Sequence, residues 1–111
     1  MAGLFLNYAG MRVRNEADLA AIKKAVDATL EPLGKRVYSI VNYERFVADD
    51  DIVDKYMDLV KYVEDKYYIS VARYTNSGFL RLKLGKELGK RKVSSRIYES
   101  REEAALHVKD R

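Results

Sequence analysis

The sequence predicts an open α/β layer fold, a mostly parallel four-stranded sheet with helices packed on it in βαβαβαβα order. Three observations predict it. Short β-branched and aromatic runs alternate with longer segments whose apolar residues recur at helical spacing. No linker or low-complexity stretch breaks the alternation. Strict alternation favours parallel strands joined by right-handed crossovers, and four strands are too few to close a barrel. At 111 residues, the chain suits one domain spanning positions 1–111.

The elements follow in order. Residues 3–8 (GLFLNY) form an apolar, strand-forming run. Because that strand starts almost at the first residue, the domain is expected to be cut from a longer chain. Asn15 offers a helix N-cap, with Asp18 in the first turn. Leu19, Ile22, Val26, Leu30 and Leu33 then mark a helix that Pro32 and Gly34 stop. Residues 37–43 (VYSIVNY) read as a buried strand. Asp49, Asp50 and Asp51 are expected to cap the second helix, whose apolar stripe is Ile52, Tyr56, Leu59, Val60, Val63 and Tyr67. Residues 68–74 (YISVARY) form the third strand, and a polar turn leads from it into a helix running to about Arg91. Residues 93–98 make a fourth strand interrupted by Ser94, Ser95 and Arg96. Ser100 and Glu103 form a capping box for a short last helix through Val108.

Composition narrows the chemistry. Hydrophobic residues make up 48% of the chain and charged residues 34%, a globular balance. With no cysteine, the chain has no disulfide, thiol nucleophile or cysteine-ligated metal, and a lone His107 provides no histidine cluster. No metal site is expected. No apolar run is long enough for a membrane span and no cleavable leader is visible, so a cytoplasmic address is expected. The net charge of +4 is unevenly spread: residues 79–92 hold six basic residues against one acid, whereas residues 49–66 hold seven acids against three lysines. Such a dipolar surface suits a docking partner as readily as a nucleic acid.

Three features are candidate functional sites. All four strands end in tyrosine followed by a polar turn, at Tyr8, Tyr43, Tyr74 and Tyr98. If the strands are parallel, these turns gather at the carboxyl edge of the sheet, where open α/β folds bind ligands. The amphipathic ring also suits a strand end without any ligand. The turn Thr75-Asn76-Ser77-Gly78 opens the third helix, where free N–H groups and the dipole favour a small anion. Ordinary capping also accounts for those residues. Lys83, Lys86 and Lys90 share one helical face, as phosphate binding would require, although a solvated face needs no ligand. With no interleaved aromatics beyond Phe79 and no recognition motif, nucleic acid is disfavoured as a partner. Leu82, Gly85 and Gly89 lie on another side of this helix, open to close backbone approach. No carboxylate pair or nucleophile–histidine arrangement forms a complete active site.

The segments 37–43 (VYSIVNY), 73–85 (RYTNSGFLRLKLG) and 97–104 (IYESREEA) resemble the C-terminal extension of bacterial acyl-CoA:acetate/3-ketoacid CoA-transferases. The resemblance covers nearly the whole chain and is most specific over 73–85. It departs at Gly78, where alanine is expected, and at 92–96, where a more apolar, proline-containing turn is expected. It implies an accessory domain that docks on the transferase body or another subunit. The parent family moves coenzyme A between carboxylic acids through a glutamyl thioester, but no position here matches its catalytic glutamate. No catalytic residue is therefore carried over, and coenzyme A is expected only in the parent enzyme. A looser similarity, of Asn76-Ser77-Gly78 opening a helix and the later Glu102-Glu103-Ala104, points to STAS domains (the anti-sigma-factor-antagonist type). It implies a STAS-like sandwich in which Ser77 matches a phosphorylated serine that switches partner binding. Thr75-Asn76 replaces the acidic residue usual before that serine.

Overall fold

A computed structural model describes residues 3–91, 93 and 96–108. Their elements are β1 (Gly3–Asn7), β2 (Arg12–Val13), α1 (Glu16–Leu30), β3 (Val37–Asn42), β4 (Val47–Ala48), α2 (Val53–Tyr67), β5 (Tyr68–Tyr74), α3 (Gly78–Lys90), β6 (Ile97–Tyr98) and α4 (Arg101–His107). The main sheet has the order β1-β3-β5-β6 and every pairing in it is parallel. The architecture is the open α/β layer that the alternation of elements predicts.

Two elements are additional to that pattern. The loops leaving β1 and β3 run side by side and pair through β2 and β4, as a separate parallel ladder. Two-residue strands carry no readable period, so only the proximity of the loops creates them. The fourth strand is also shorter than expected, Ile97–Tyr98. Lys92, Ser94 and Ser95 lie outside the described residues.

Helix starts follow local chemistry in three of four cases. Asn15 accepts the Asp18 N–H, Ser77 accepts the Leu80 N–H, and Ser100 accepts the Glu103 N–H. The Glu103 carboxylate returns to the Glu99 N–H, one residue earlier than a standard capping box. The expected cap of α2 by Asp49, Asp50 and Asp51 is corrected. Its N-cap is Ile52, with no side-chain bond. The Asp49 carboxylate binds Arg12 at 3.1 Å and Asp50 binds Lys83 at 3.0 Å. Asp49 and Asp50 thus serve cations on neighbouring elements, and the helix begins after all three acids, at Val53.

Strands lying side by side in chain order, joined by crossovers of one hand, put all connecting helices on one face. Accordingly Val26 and Leu30 of α1, Tyr56, Met57, Val60 and Val63 of α2, and Leu80, Leu84 and Leu88 of α3 join Val37, Val41 and Val71 in one core. The opposite face carries a smaller cluster, in which Ala104 and Val108 cover Ala72 and Tyr74, with Tyr38, Ile40 and Tyr98 alongside. Beyond it, Phe5 of β1 is partly exposed, with the Arg101 guanidinium 4.2 Å above its ring.

A polar clasp joins α1 to α2. The hydroxyls of Tyr67 and Tyr62 both donate to Asp27, the second at 3.0 Å, and the Lys23 ammonium lies 3.0 Å from the other carboxylate oxygen. The Tyr67 and Lys23 bonds are chiefly what bring the Asp27 carboxyl from its ordinary 3.8 to about 2. A carboxyl depressed on folding adds stability that is present above its unfolded pKa and lost as pH falls through the folded one. In urea denaturation at stepped pH, wild type is expected to lose stability relative to Asp27→Asn between pH 4 and 2. A difference independent of pH across that window would contradict the clasp.

Candidate functional site

The four strand-end tyrosines do reach the carboxyl edge, but they do not converge. Asn42 pairs with Tyr74 and Tyr74 with Tyr98, while the Tyr8 N–H bonds to the Asn42 carbonyl and the Tyr43 N–H to the Tyr74 carbonyl. Tyr8 and Tyr43 are therefore one residue out of step with Tyr74 and Tyr98. With a side-chain period of two, a single-residue step sends them to opposite faces. Tyr8 and Tyr43 turn toward α1 and α2, with ring centroids 5.7 Å apart, and Phe46 and Tyr56 complete an aromatic cluster. Tyr74 packs under α4, and Tyr98 stacks flat on His107 at 5.0 Å.

Behind the aromatic cluster lies a buried polar group that composition does not reveal. Arg73 shares a sheet row with Val41 and Ile97 and faces the helices, only 2% exposed. It pairs with Glu64 of α2 at 3.2 Å. Nearby, the hydroxyls of Tyr43 and Tyr56 share a 2.7 Å hydrogen bond. Arg73, Tyr8, Tyr43, Tyr56 and Tyr68 border a slot of about 20 Å³, space for about one water. Burial raises the hydroxyl pKa of Tyr8 and Tyr56 far above its ordinary value and that of Tyr68 to about 12. These phenols stay protonated at neutral pH and are available as hydrogen-bond donors.

At the opening of α3 the structure brings together the turn that the sequence singles out. Thr75 is fully buried, and its hydroxyl donates to Glu44 Oε1 at 2.9 Å. The Asn76 N–H donates to the same oxygen at 2.9 Å, and the Ser77 N–H to Thr75 Oγ1 at 3.3 Å. Ser77 is the N-cap. The carboxylate at this helix end is thus supplied by the chain itself, from the turn after β3. Arg81, which the sequence leaves without a role, donates from Nη1 to the Thr75 carbonyl at 2.8 Å and reaches Glu99 at 3.6 Å. Gly78 keeps ordinary room for a side chain, since a Cβ there would meet only Arg81 Nη2 at 3.6 Å.

Glu44 and Arg81 are the functional residues that spacing does not expose. Glu44 stands in a recognisable strand-end turn, yet its target is 31 residues away. No local pattern announces so distant a contact.

The basic helix meets the acidic segment. Lys83 pairs with Asp50 at 3.0 Å, and Arg91 pairs with Asp54 at 2.7 Å and Asp58 at 3.8 Å. Lys90 is tied to Glu87 within α3, and Lys86 stays exposed. Opposite the face that buries Leu80, Leu84 and Leu88, helical spacing places Phe79 and Leu82 beside Lys86. Both apolar side chains are 75% exposed.

Among the described residues no group of three or more His, Asp or Glu side chains is placed to hold a metal ion, and no helix is long and apolar enough to cross a membrane. Comparison of the chain with family models, curated proteins and solved structures finds no match.

The Glu44 bridge generates a stability prediction. Glu44→Ala leaves the buried Thr75 hydroxyl and the Asn76 N–H without their acceptor, at a cost of about 1–3 kcal/mol in chemical denaturation. Glu44→Gln keeps an acceptor oxygen and is expected to cost less. In a double-mutant cycle, Thr75→Val and Glu44→Ala are expected to be non-additive. Strict additivity would show that the two side chains do not act together.

Proposed function

We propose that this chain is a non-catalytic docking domain of an acyl-CoA:acetate/3-ketoacid CoA-transferase. The observation that carries the docking reading is the outward face of α3, where Phe79 and Leu82 are each 75% exposed. Single exposed apolar residues are common, and two neighbouring ones on a face directed away from the core support a docking role. The transferase context rests on the resemblance of residues 37–43, 73–85 and 97–104. The interior supports a binding role over a reactive one. The hydroxyls of Tyr8, Tyr56 and Tyr68 are held protonated by burial, Arg73 is paired with Glu64, and the polar turn at 75–77 is bonded to Glu44.

Coenzyme A and the glutamyl thioester then belong to the transferase body, and this chain contributes contact and assembly. Mixing the purified chain with a purified transferase body of that family tests the reading by sedimentation velocity. A complex is expected, and Leu82→Ser is expected to weaken it at least tenfold while leaving the melting temperature of the chain unchanged. The chain alone is expected neither to turn over acyl-CoA nor to form a glutamyl–CoA adduct detectable by mass spectrometry. Turnover by the isolated chain would overturn the proposal.

A further inference from the structure

The lysines and glycines of α3 specify what kind of partner its outward face accepts. At 100° per residue, that face has three parallel strips. Phe79, Leu82 and Lys86 run down its centre, Lys83 and Lys90 line one side, and Gly85 and Gly89 line the other. Glu87, the one acid of α3, lies toward the buried side and bonds Lys90 and Arg91, and the exposed Asp50 bonds Lys83, so Lys86 is the lysine of this face without an ion pair among the described residues.

The glycines are costly where they stand. In a helix interior each is less favourable than alanine by roughly 0.5–1 kcal/mol. Neither Gly85 nor Gly89 has the positive φ that would call for glycine, and a side chain at Gly89 would meet nothing within 4 Å. The fold itself therefore does not need Gly89 to lack a side chain. The bare backbone there leaves room for another backbone to approach closely from outside.

We propose that α3 is the docking site for an acidic amphipathic helix of the partner, crossing close over Gly85 and Gly89. Its apolar residues would pack on Phe79 and Leu82, and a carboxylate would pair with Lys86, beside the Lys83–Asp50 and Lys90–Glu87 pairs. This rests on the docking reading and deepens it by naming the partner's chemistry. Charge complementarity decides the occupant: Asp50 and Glu87 already bond Lys83 and Lys90, so the exposed Lys86 leaves an excess of positive charge on the apolar face, which repels a basic helix and attracts an acidic one.

A second copy of this chain offers a weaker version of the same chemistry. On α4, Glu102 and Glu103 are exposed beside Leu106, which is 74% exposed. That helix is only seven residues long, about 10 Å, and covers little of α3.

The test uses the full chain and two helix-stapled peptides of about 14 residues, enough to span α3 at 1.5 Å per residue. Both carry leucine at i and i+4 spacing, one with glutamate flanks and one with lysine flanks. Binding is followed by fluorescence anisotropy and by amide shifts in the chain. The glutamate peptide is expected to bind with shifts centred on residues 79–90, and the lysine peptide to bind at least tenfold more weakly. Lys86→Glu is expected to reverse that preference. Gly89→Leu is expected to abolish binding while the melting temperature holds or rises, a combination that a merely structural role for Gly89 would not produce.

Equal binding of the two peptides, shifts away from α3, or no binding at millimolar concentration would overturn the proposal. So would self-association abolished by Leu106→Ser, which would assign the face to a second copy. If the glutamate peptide binds but the transferase body does not, the transferase reading fails and this inference stands. If the body binds and is indifferent to Lys86→Glu and Gly89→Leu, the inference fails and the docking reading stands.

Discussion

The register of the parallel sheet is the constraint on which the rest depends. Asn7, Asn42, Tyr74 and Tyr98 lie in one row across four strands, and the row before it holds Leu6, Val41, Arg73 and Ile97. Because side chains alternate, the first row faces α4 and the second faces α1–α3. A slip of one residue in β5 would turn Arg73 to the other face, away from Glu64, and drive Tyr74 into the larger core. The same register brings the end of β3 beside the start of α3, which is how Glu44 reaches Thr75 and Asn76. The polar interior and the organised helix end are therefore two results of one pairing scheme.

Charge is organised by the same logic. Viewed along the chain, residues 49–66 and 79–92 are separate blocks of opposite sign. In the folded chain α2 and α3 are neighbours, and Asp50, Asp54 and Asp58 meet Lys83 and Arg91. These pairs are largely exposed on their acidic side, so each adds little to stability, but together they offset much of the basic field that the sequence displays. What remains facing outward on α3 is narrower and more specific, Lys86 beside two exposed apolar side chains and two glycines.

How much was legible in the sequence differs between fold and site. The apolar period, the β-branched runs and the caps at Asn15, Ser77 and Ser100 identify the elements, since each acts within one or two turns of chain. Local chemistry points to Asp49–Asp51 as a helix cap, whereas α2 starts after them and Asp49 and Asp50 pair with cations of β2 and α3. At the site, the turn 75–77 was legible as a helix opening, whereas its acceptor Glu44 and its brace Arg81 were not. The tyrosines were visible as a repeated strand ending, yet their division between two faces depends on inter-strand register, which a single strand does not encode.

The amino-acid sequence by itself determined the α/β class, the order of elements and the amphipathic face that each helix buries. Those properties depend on residues a few positions apart, where periodicity and capping act. Only the tertiary structure decided that Arg73 is buried against Glu64, that Glu44 serves α3, and that the acidic block neutralises part of the basic one. Each of those is a contact across nine to more than thirty positions of chain, fixed by which surfaces the parallel sheet and its crossovers bring together.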